Sequence, residues 1–163
     1  MCDSLSKREV SISDADDLLS WRNDPSMLMF QRNKIPINRR SHIKWLSDRI
    51  ELIPALPFMV YELVSLEKVG AVRLDSREDN SLELSIIVNP KFRGKGYGKL
   101  ILVDFLAEVS SMGYFDEIIA CIHIFNQHSL HLFQEVGFKG GEKRRGDFLE
   151  FRYNLKHKTH HST

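Results

Sequence analysis

Apolar residues recur along the chain at two spacings, and these predict an alternation of helices and strands. Ser13 and Asp16 have the spacing of a capping box and precede an apolar-periodic stretch that stops at Asn23-Asp24-Pro25, so a first helix is expected there. Further helices are predicted at 38–50, 99–113 and 126–136, and strands at 9–12, 58–64, 69–75, 82–88, 117–124 and 148–155. This order predicts a mixed α/β fold.

The segment from Leu82 to Val88 carries the pattern of a partly buried strand. It begins with alternating polar and apolar residues and finishes with three apolar residues, so both faces of its end are expected to be covered. A basic, glycine-rich loop from Lys91 to Gly98 follows, and the third predicted helix begins directly after it. Strand, glycine loop and helix are therefore consecutive.

The glycine loop has the composition of an anion site. In Arg93-Gly94-Lys95-Gly96-Tyr97-Gly98 the alternate glycines let the backbone turn sharply and expose its amides, and the start of a helix adds a positive dipole end. A phosphate or pyrophosphate suits such a loop, whereas the alternative is a glycine-rich turn with solvated lysines. The spacing fits neither a dinucleotide-binding fingerprint nor a P-loop.

Composition and charge exclude several classes of protein. The 163 residues contain 23 Lys and Arg against 22 Asp and Glu, a net charge of +1 that argues against a nucleic-acid partner held by bulk electrostatics. Cys2 and Cys121 make neither a disulfide framework nor an all-cysteine zinc site, so no metal is implied. Without a long apolar run, no membrane partner is expected. We expect a single cytoplasmic domain over 1–163, with 156–163 as a polar tail.

Two motifs in the sequence resemble the GNAT superfamily of N-acetyltransferases. Val88 to Gly98 is similar to the acetyl-CoA loop of that family, and Asn126, Ser129, Leu132 and Gly137-Phe138 are similar to its helix after the fifth strand. The resemblance implies the GNAT fold, a mixed sheet that is splayed between its fourth and fifth strands and flanked by helices. It also implies acetyl-CoA as a cosubstrate and direct attack of a neutral amine on the thioester.

The same resemblance implies where the cofactor binds. Its pantetheine arm is expected to pair with backbone of the fourth strand, and amides of the glycine loop are expected to hold its pyrophosphate. The residues so implied are Ile86, Ile87, Val88, Arg93, Gly94, Lys95, Gly96, Tyr97, Gly98, Lys99, Asn126 and Ser129.

Direct transfer needs a group that accepts the amine proton and a group that protonates the departing thiolate. Glu83 matches a glutamate of the subfamily that contains ribosomal-protein N-terminal acetyltransferases, and Ser85 lies on the same strand face. The tyrosine that donates a proton in many family members is replaced by Phe133, so His123, His128 or His131 is expected to substitute, directly or through water. The alternatives are a glutamate on an exposed strand face and histidines that only pack or solvate.

The N-terminal third suggests the acceptor. Segments around Trp21-Arg22-Asn23-Asp24-Pro25 and Trp45 resemble acetyltransferases of surface-polysaccharide pathways, which act on nucleotide-linked amino sugars. By this resemblance Arg22, Asn23, Trp45 and Glu83 bind the acceptor, whereas the ordinary interpretation is a core tryptophan and a solvated arginine. A protein α-amino group is the alternative acceptor, a silent CoA-binding module is the alternative function, and a homodimer is left open.

Overall fold

A computed structural model describes residues 4–155. Its strands are β1 (Leu5–Glu9), β2 (Phe58–Leu63), β3 (Lys68–Ser76), β4 (Leu82–Val88), β5 (Glu117–His123), β6 (Lys139–Arg145) and β7 (Phe148–Asn154). Its α-helices are α1 (Ala15–Arg22), α2 (Pro25–Leu28), α3 (Arg39–Ile50), α4 (Tyr97–Met112) and α5 (Gln127–Glu135). The seven strands form one mixed sheet in the order β1-β2-β3-β4-β5-β7-β6. The prediction of a mixed α/β fold is therefore confirmed.

Neighbouring residues on the central strands pack into two separate cores because successive strand side chains point to opposite faces. On one face Tyr61 and Val72 join the buried residues of α4, among them Phe105. On the other face Val60 and Ala71 join the buried residues of α1 and α3. The sheet therefore lies between helices on both sides.

The strands β4 and β5 part from each other soon after they begin. They are parallel, and their described pairing is confined to Glu83 opposite Ile119. By contrast β3 pairs with β4 over seven consecutive positions, from Gly70–Val88 to Ser76–Leu82. The sheet therefore opens along the second half of β4, and both predicted motifs flank this opening.

Two details at the N-terminal end of the fold differ from the prediction. The first strand occupies Leu5–Glu9 rather than 9–12, where it pairs antiparallel with β2. The capping box forms from Ser11 and Asp14, two residues earlier than predicted, and the Ser11 N–H donates to Asp14 Oδ2 at 2.8 Å. Asp14 is fully buried and bonds to Arg8. The pairs Ser11/Asp14 and Ser13/Asp16 have the same spacing, and this tertiary contact favours the first pair.

Two further details of the sheet differ from the prediction. The strand β6 was not predicted because its sequence, KGGEKRR, is polar and almost wholly exposed, as befits an edge strand. The apolar end of β4 is not covered on both faces, since Ile86 and Val88 stay half-buried where β5 has moved away. The predicted tail at 156–163 lies outside the described residues. Within residues 4–155, every helix is too short or too polar to cross a lipid bilayer.

Candidate active site

The glycine loop adopts backbone angles that favour glycine. Gly94 and Gly96 have φ values of +75° and +85°, in the left-handed region, and Gly96 is the N-cap of α4. No side chain caps this end, so the amides of the first turn of α4 remain available. A Cβ at Gly98 would lie 3.2 Å from Leu132 Cδ2, because α4 and α5 approach closely there. The loop therefore presents free amides at a positive helix end.

A cavity of about 600 Å³ lies against this loop, and we call it the glycine-loop cavity. Most of the residues implied by the resemblance line it, together with Met27, Phe30 and His128: Ile86, Val88, Arg93, Gly94, Gly96, Tyr97, Gly98, Lys99, Asn126 and Ser129. Ile87 and Lys95 are not among the lining residues. Ile87 packs with the core of α1 and α3, and Lys95 Nζ lies 5.7 Å from the centre of the Phe92 ring, which borders the cavity.

The charges at the glycine-loop cavity fit an anionic ligand. Arg93 donates through Nη1 to Ser26 Oγ at 2.5 Å, while its buried Nη2 has no hydrogen-bond partner within residues 4–155. Burial lowers the pKa of the Arg93 guanidinium, and the nearby carboxylate of Asp24 offsets this only in part. An unpartnered guanidinium nitrogen beside free helix amides is a donor set that a phosphate satisfies.

The start of α5 forms the opposite wall of this cavity. Asn126 caps the helix, and its Oδ1 accepts from the Ser129 N–H at 3.2 Å. His128 is exposed and borders the glycine-loop cavity, away from Glu83. Phe133 is buried edge-to-face against Phe138, with ring centres 5.0 Å apart. The predicted histidines are therefore divided, and only His123 lies near Glu83.

A second opening lies on the other side of the parted strands, and we call it the charged cleft. It measures about 740 Å³ and is lined by Arg32, Arg77, Glu83, Cys121 and Glu150, among others. The Glu83 side chain is only 13% exposed, and its Oε1 accepts from Arg32 Nη2 at 2.8 Å. Its other oxygen lies 3.9 Å from Arg77 Nε. Glu83 is therefore a shielded carboxylate already bound to a guanidinium from another part of the chain.

A third cavity, of about 340 Å³, lies between the two openings and shares lining residues with each, and we call it the passage. Ile86, Asn126 and Ser129 line both this passage and the glycine-loop cavity, while Glu83 and His123 line both the passage and the charged cleft. Ser85 also borders the passage and lies opposite Arg73 in the sheet. The geometry thus allows a group bound at the glycine loop to meet a group bound beside Glu83.

Cys121 borders the passage but is poorly suited to act as a nucleophile. Burial raises the pKa of its thiol, and the negative charge of Glu83 raises it further. A thiol with a raised pKa stays protonated near neutral pH, and the thiolate is the reactive form.

The described residues also contain no group of three or more metal-ligating side chains.

Arg22 and Trp45 come together on a smaller cavity of about 290 Å³, which we call the Trp45 pocket. The Arg73 guanidinium lies 5.1 Å from the centre of the Trp45 ring. Burial lowers the pKa of Arg22, and the nearby Arg73 lowers it further. The buried Nη1 of Arg22 has no hydrogen-bond partner in the part of the chain that the structure describes. Arg22, Arg73 and Ser85 line both this pocket and the passage.

Asn23 occupies a different environment from Arg22. Its Nδ2 donates to the Ile37 carbonyl at 2.8 Å, and its Oδ1 accepts from the Ile37 N–H at 3.0 Å. Both polar atoms of the amide are therefore used to fasten the loop that carries Arg32.

Sequence reasoning missed Arg32, Arg73 and Arg77. Arg32 lies 51 residues before its partner Glu83, in a loop with no regular pattern. The position of Arg73 beside the site can be recognised only once the register of β3 against β4 is known, because that register places it opposite Ser85. No local signal in the sequence distinguishes these arginines from solvated ones.

Comparison with known proteins identifies the architecture. A family model described as an acetyltransferase (GNAT) domain matches residues 5–139. The uncharacterized protein MJ1062 of Methanocaldococcus jannaschii is 26% identical over 150 residues, which are 91% of this chain and 31% of that relative. The chain therefore spans about a third of the length of this curated relative.

Solved structures show the same arrangement of strands and helices. The crystal structure of a domain from M. jannaschii matches with a TM-score of 0.80 and 23% identity, over 94% of this chain and 99% of that one. The spermidine N-acetyltransferase of Vibrio cholerae, solved with CoA and spermine, matches with a TM-score of 0.77 and 18% identity, over 93% of this chain and 95% of that one. At these identities the likeness concerns the fold.

Proposed function

Because the chain belongs to the GNAT acetyltransferase family, we propose that it transfers the acetyl group of acetyl-CoA directly to a primary amine of a nucleotide-linked amino sugar. The observation that carries this proposal is the passage between the glycine-loop cavity and the charged cleft. It gives a thioester held at one side a route to an amine held at the other. Such positioning converts a bimolecular reaction into an effectively unimolecular one.

The glycine-loop cavity holds the cofactor in this proposal. The free amides after Gly96 and the unpartnered Nη2 of Arg93 bind the pyrophosphate, and Gly98 permits the close approach of α4 and α5. The half-buried end of β4 offers unpaired backbone to an extended ligand where β5 has departed. Acetyl-CoA supplies the activated acetyl group, and the chain supplies its orientation.

Glu83 receives the acceptor amine. A shielded carboxylate attracts an ammonium ion and then accepts its proton, directly or through water. The Arg32 guanidinium now occupies this carboxylate at 2.8 Å, so the acceptor ammonium replaces it. Cys121 takes no part, because the amine attacks the thioester itself and no acyl-enzyme is formed.

The Trp45 pocket supports an acceptor that carries negative charge. Two neighbouring guanidinium groups, of which Arg22 has an unpartnered nitrogen, favour a phosphate or diphosphate. The Trp45 ring forms an apolar wall beside them. A nucleotide-linked amino sugar combines such a diphosphate with a primary amine.

A panel of acceptors tests the proposal by release of free CoA thiol. Nucleoside-diphosphate amino sugars are compared with the free amino sugars and with a peptide that has a free α-amino group. We expect the highest kcat/KM for the nucleotide-linked sugars. A preference for the peptide would show that the acceptor is a protein α-amino group. Binding of acetyl-CoA without turnover of any amine would favour the silent CoA-binding module, which the phenylalanine at Phe133 supports because it cannot donate a proton.

A further inference from the structure

His123 lies at the end of β5 in a largely aromatic environment. It is 5% exposed, and the rings of Phe30, Phe125 and Phe148 have their centres 5.3 to 5.7 Å from its own. It also lines both the charged cleft and the passage, where Glu83 is its neighbour in the wall. A polar ring at such a place has few means to satisfy its two nitrogens.

One of these nitrogens has its partner within the chain. The Phe125 N–H donates to His123 Nδ1 at 3.1 Å. Since Nδ1 accepts this hydrogen bond, it carries no proton, and the neutral ring must carry its proton on Nε2. Nε2 is therefore a donor, and it has no partner within the described residues.

The loop between α2 and α3 covers this donor and Glu83 together. Phe30 packs against the His123 ring, and Arg32, two residues later, holds Glu83. An acceptor that replaces Arg32 at Glu83 therefore also reaches the wall formed by His123. At that wall it meets a fixed N–H donor and an adjacent carboxylate.

We propose that His123 binds the acceptor as a neutral hydrogen-bond donor, through Nε2–H to an oxygen adjacent to the reacting amine, and selects amines that carry such an oxygen. This inference rests on the proposed function and assigns His123 a role other than proton transfer to the thiolate. A hydroxyl or carbonyl beside the amine satisfies the donor. The protonated arm of a polyamine offers only further donors and leaves Nε2–H unpaired.

The surroundings argue against His123 as an acid or base. Protonation of Nδ1 would set two N–H groups against each other and leave the Phe125 amide without its acceptor. The charged and titratable groups that line the charged cleft or the passage with His123 are Arg22, Arg32, Lys34, Arg73, Arg77, Glu78, Asp79, Glu83, Cys121, Arg145, Asp147 and Glu150. The two most buried carboxylates among them, Glu83 and Glu150, are each already paired with arginines, so neither of these two is left to stabilise an imidazolium.

A pair of acceptors and two variants test the inference. The acceptors are an amino-sugar nucleotide with a hydroxyl next to the amine and its deoxy analogue at that position. We expect the parent protein to favour the hydroxylated compound by about 10- to 100-fold in kcat/KM, the usual effect of leaving a buried donor unpaired. His123→Phe should lose this preference, and His123→Gln, which keeps an N–H donor, should retain part of it. An undiminished preference in His123→Phe would overturn the inference.

A second measurement needs no turnover and no variant. Nitrogen-15 chemical shifts of the imidazole should show the proton on Nε2 and none on Nδ1, because Nδ1 accepts from the Phe125 N–H. A proton on Nδ1 would overturn the inference. If no amine turns over, the proposed function fails, while the shifts and the calorimetric affinities of the two acceptors in the presence of CoA still decide the role of His123.

Discussion

The two openings on either side of the parted strands differ in the groups that form them: backbone amides form one, and long side chains form the other. The glycine-loop cavity depends on backbone, since Gly94 and Gly96 adopt left-handed angles and leave the amides of α4 free. The charged cleft depends on long side chains that come from distant segments, as when Arg32 reaches Glu83. A backbone site requires particular residues at particular positions, whereas a side-chain site can be rebuilt by changing a loop. The first is therefore suited to a constant ligand and the second to a variable one.

The largest effect is expected from a change of backbone at the glycine loop. Gly96→Val places a β-branched residue at φ +85° and should shift the amides at the start of α4. We expect acetyl-CoA affinity to fall by about 100-fold, since each hydrogen bond to a charged group contributes about 1.5–3 kcal/mol. Isothermal calorimetry measures this directly.

Gly113→Val is the matched control for this change. Gly113 ends the same helix at φ +72°, and nothing lies within 4 Å of the position its Cβ would take. The backbone strain is therefore similar, but the site is remote from the cavity. Equal loss of acetyl-CoA affinity in both variants would show that helix stability, rather than the loop amides, governs binding.

The next effect concerns the charged cleft. Glu83→Gln keeps the size of the side chain but cannot accept a proton, so kcat/KM should fall at least about 10-fold, most strongly at low pH where the amine is harder to deprotonate. Acetyl-CoA affinity should remain unchanged. A pH–rate profile that superimposes on that of the parent would remove Glu83 from amine activation and direct attention to Ser85.

A smaller effect should follow from the Trp45 pocket. Arg22→Gln removes a guanidinium that has one unpartnered nitrogen, so KM for a nucleotide-linked acceptor should rise by about 5-fold, the effect of one hydrogen bond of about 1 kcal/mol. KM for the free amino sugar should not change, since it carries no phosphate. An equal rise in KM for both acceptors would mean that Arg22 supports the structure of the Trp45 pocket and does not bind phosphate.

The smallest effect is expected at Cys121. Because burial and Glu83 raise the pKa of this thiol, the group stays protonated at neutral pH, and Cys121→Ala should keep kcat/KM within about 2-fold of the parent. Mass spectrometry of the protein during turnover provides the second measurement. An acetylated Cys121 that forms and decays at the rate of transfer would contradict direct attack.

The same contrast explains which parts of the molecule could be predicted from sequence. The glycine loop can be recognised in the sequence because its backbone angles exclude most residues other than glycine. The helices α3 and α4 could be predicted from the regular spacing of their apolar residues. The strand β6 could not be predicted, because an exposed edge strand has no apolar pattern. The contact between Arg32 and Glu83 could not be predicted either, since its partners are 51 positions apart in the chain and meet only when the sheet has formed.

The two hydrogen bonds between Asn23 and Ile37 make the loop between them a closed module. The chain from 24 to 36 leaves and re-enters the body of the protein at one side chain, so its length can change without a change in the register of the sheet. Loop-closure entropy changes only slowly with length, which makes insertions there inexpensive. We expect that grafting this segment from one relative to another changes the lining of the charged cleft and leaves the glycine loop unaltered.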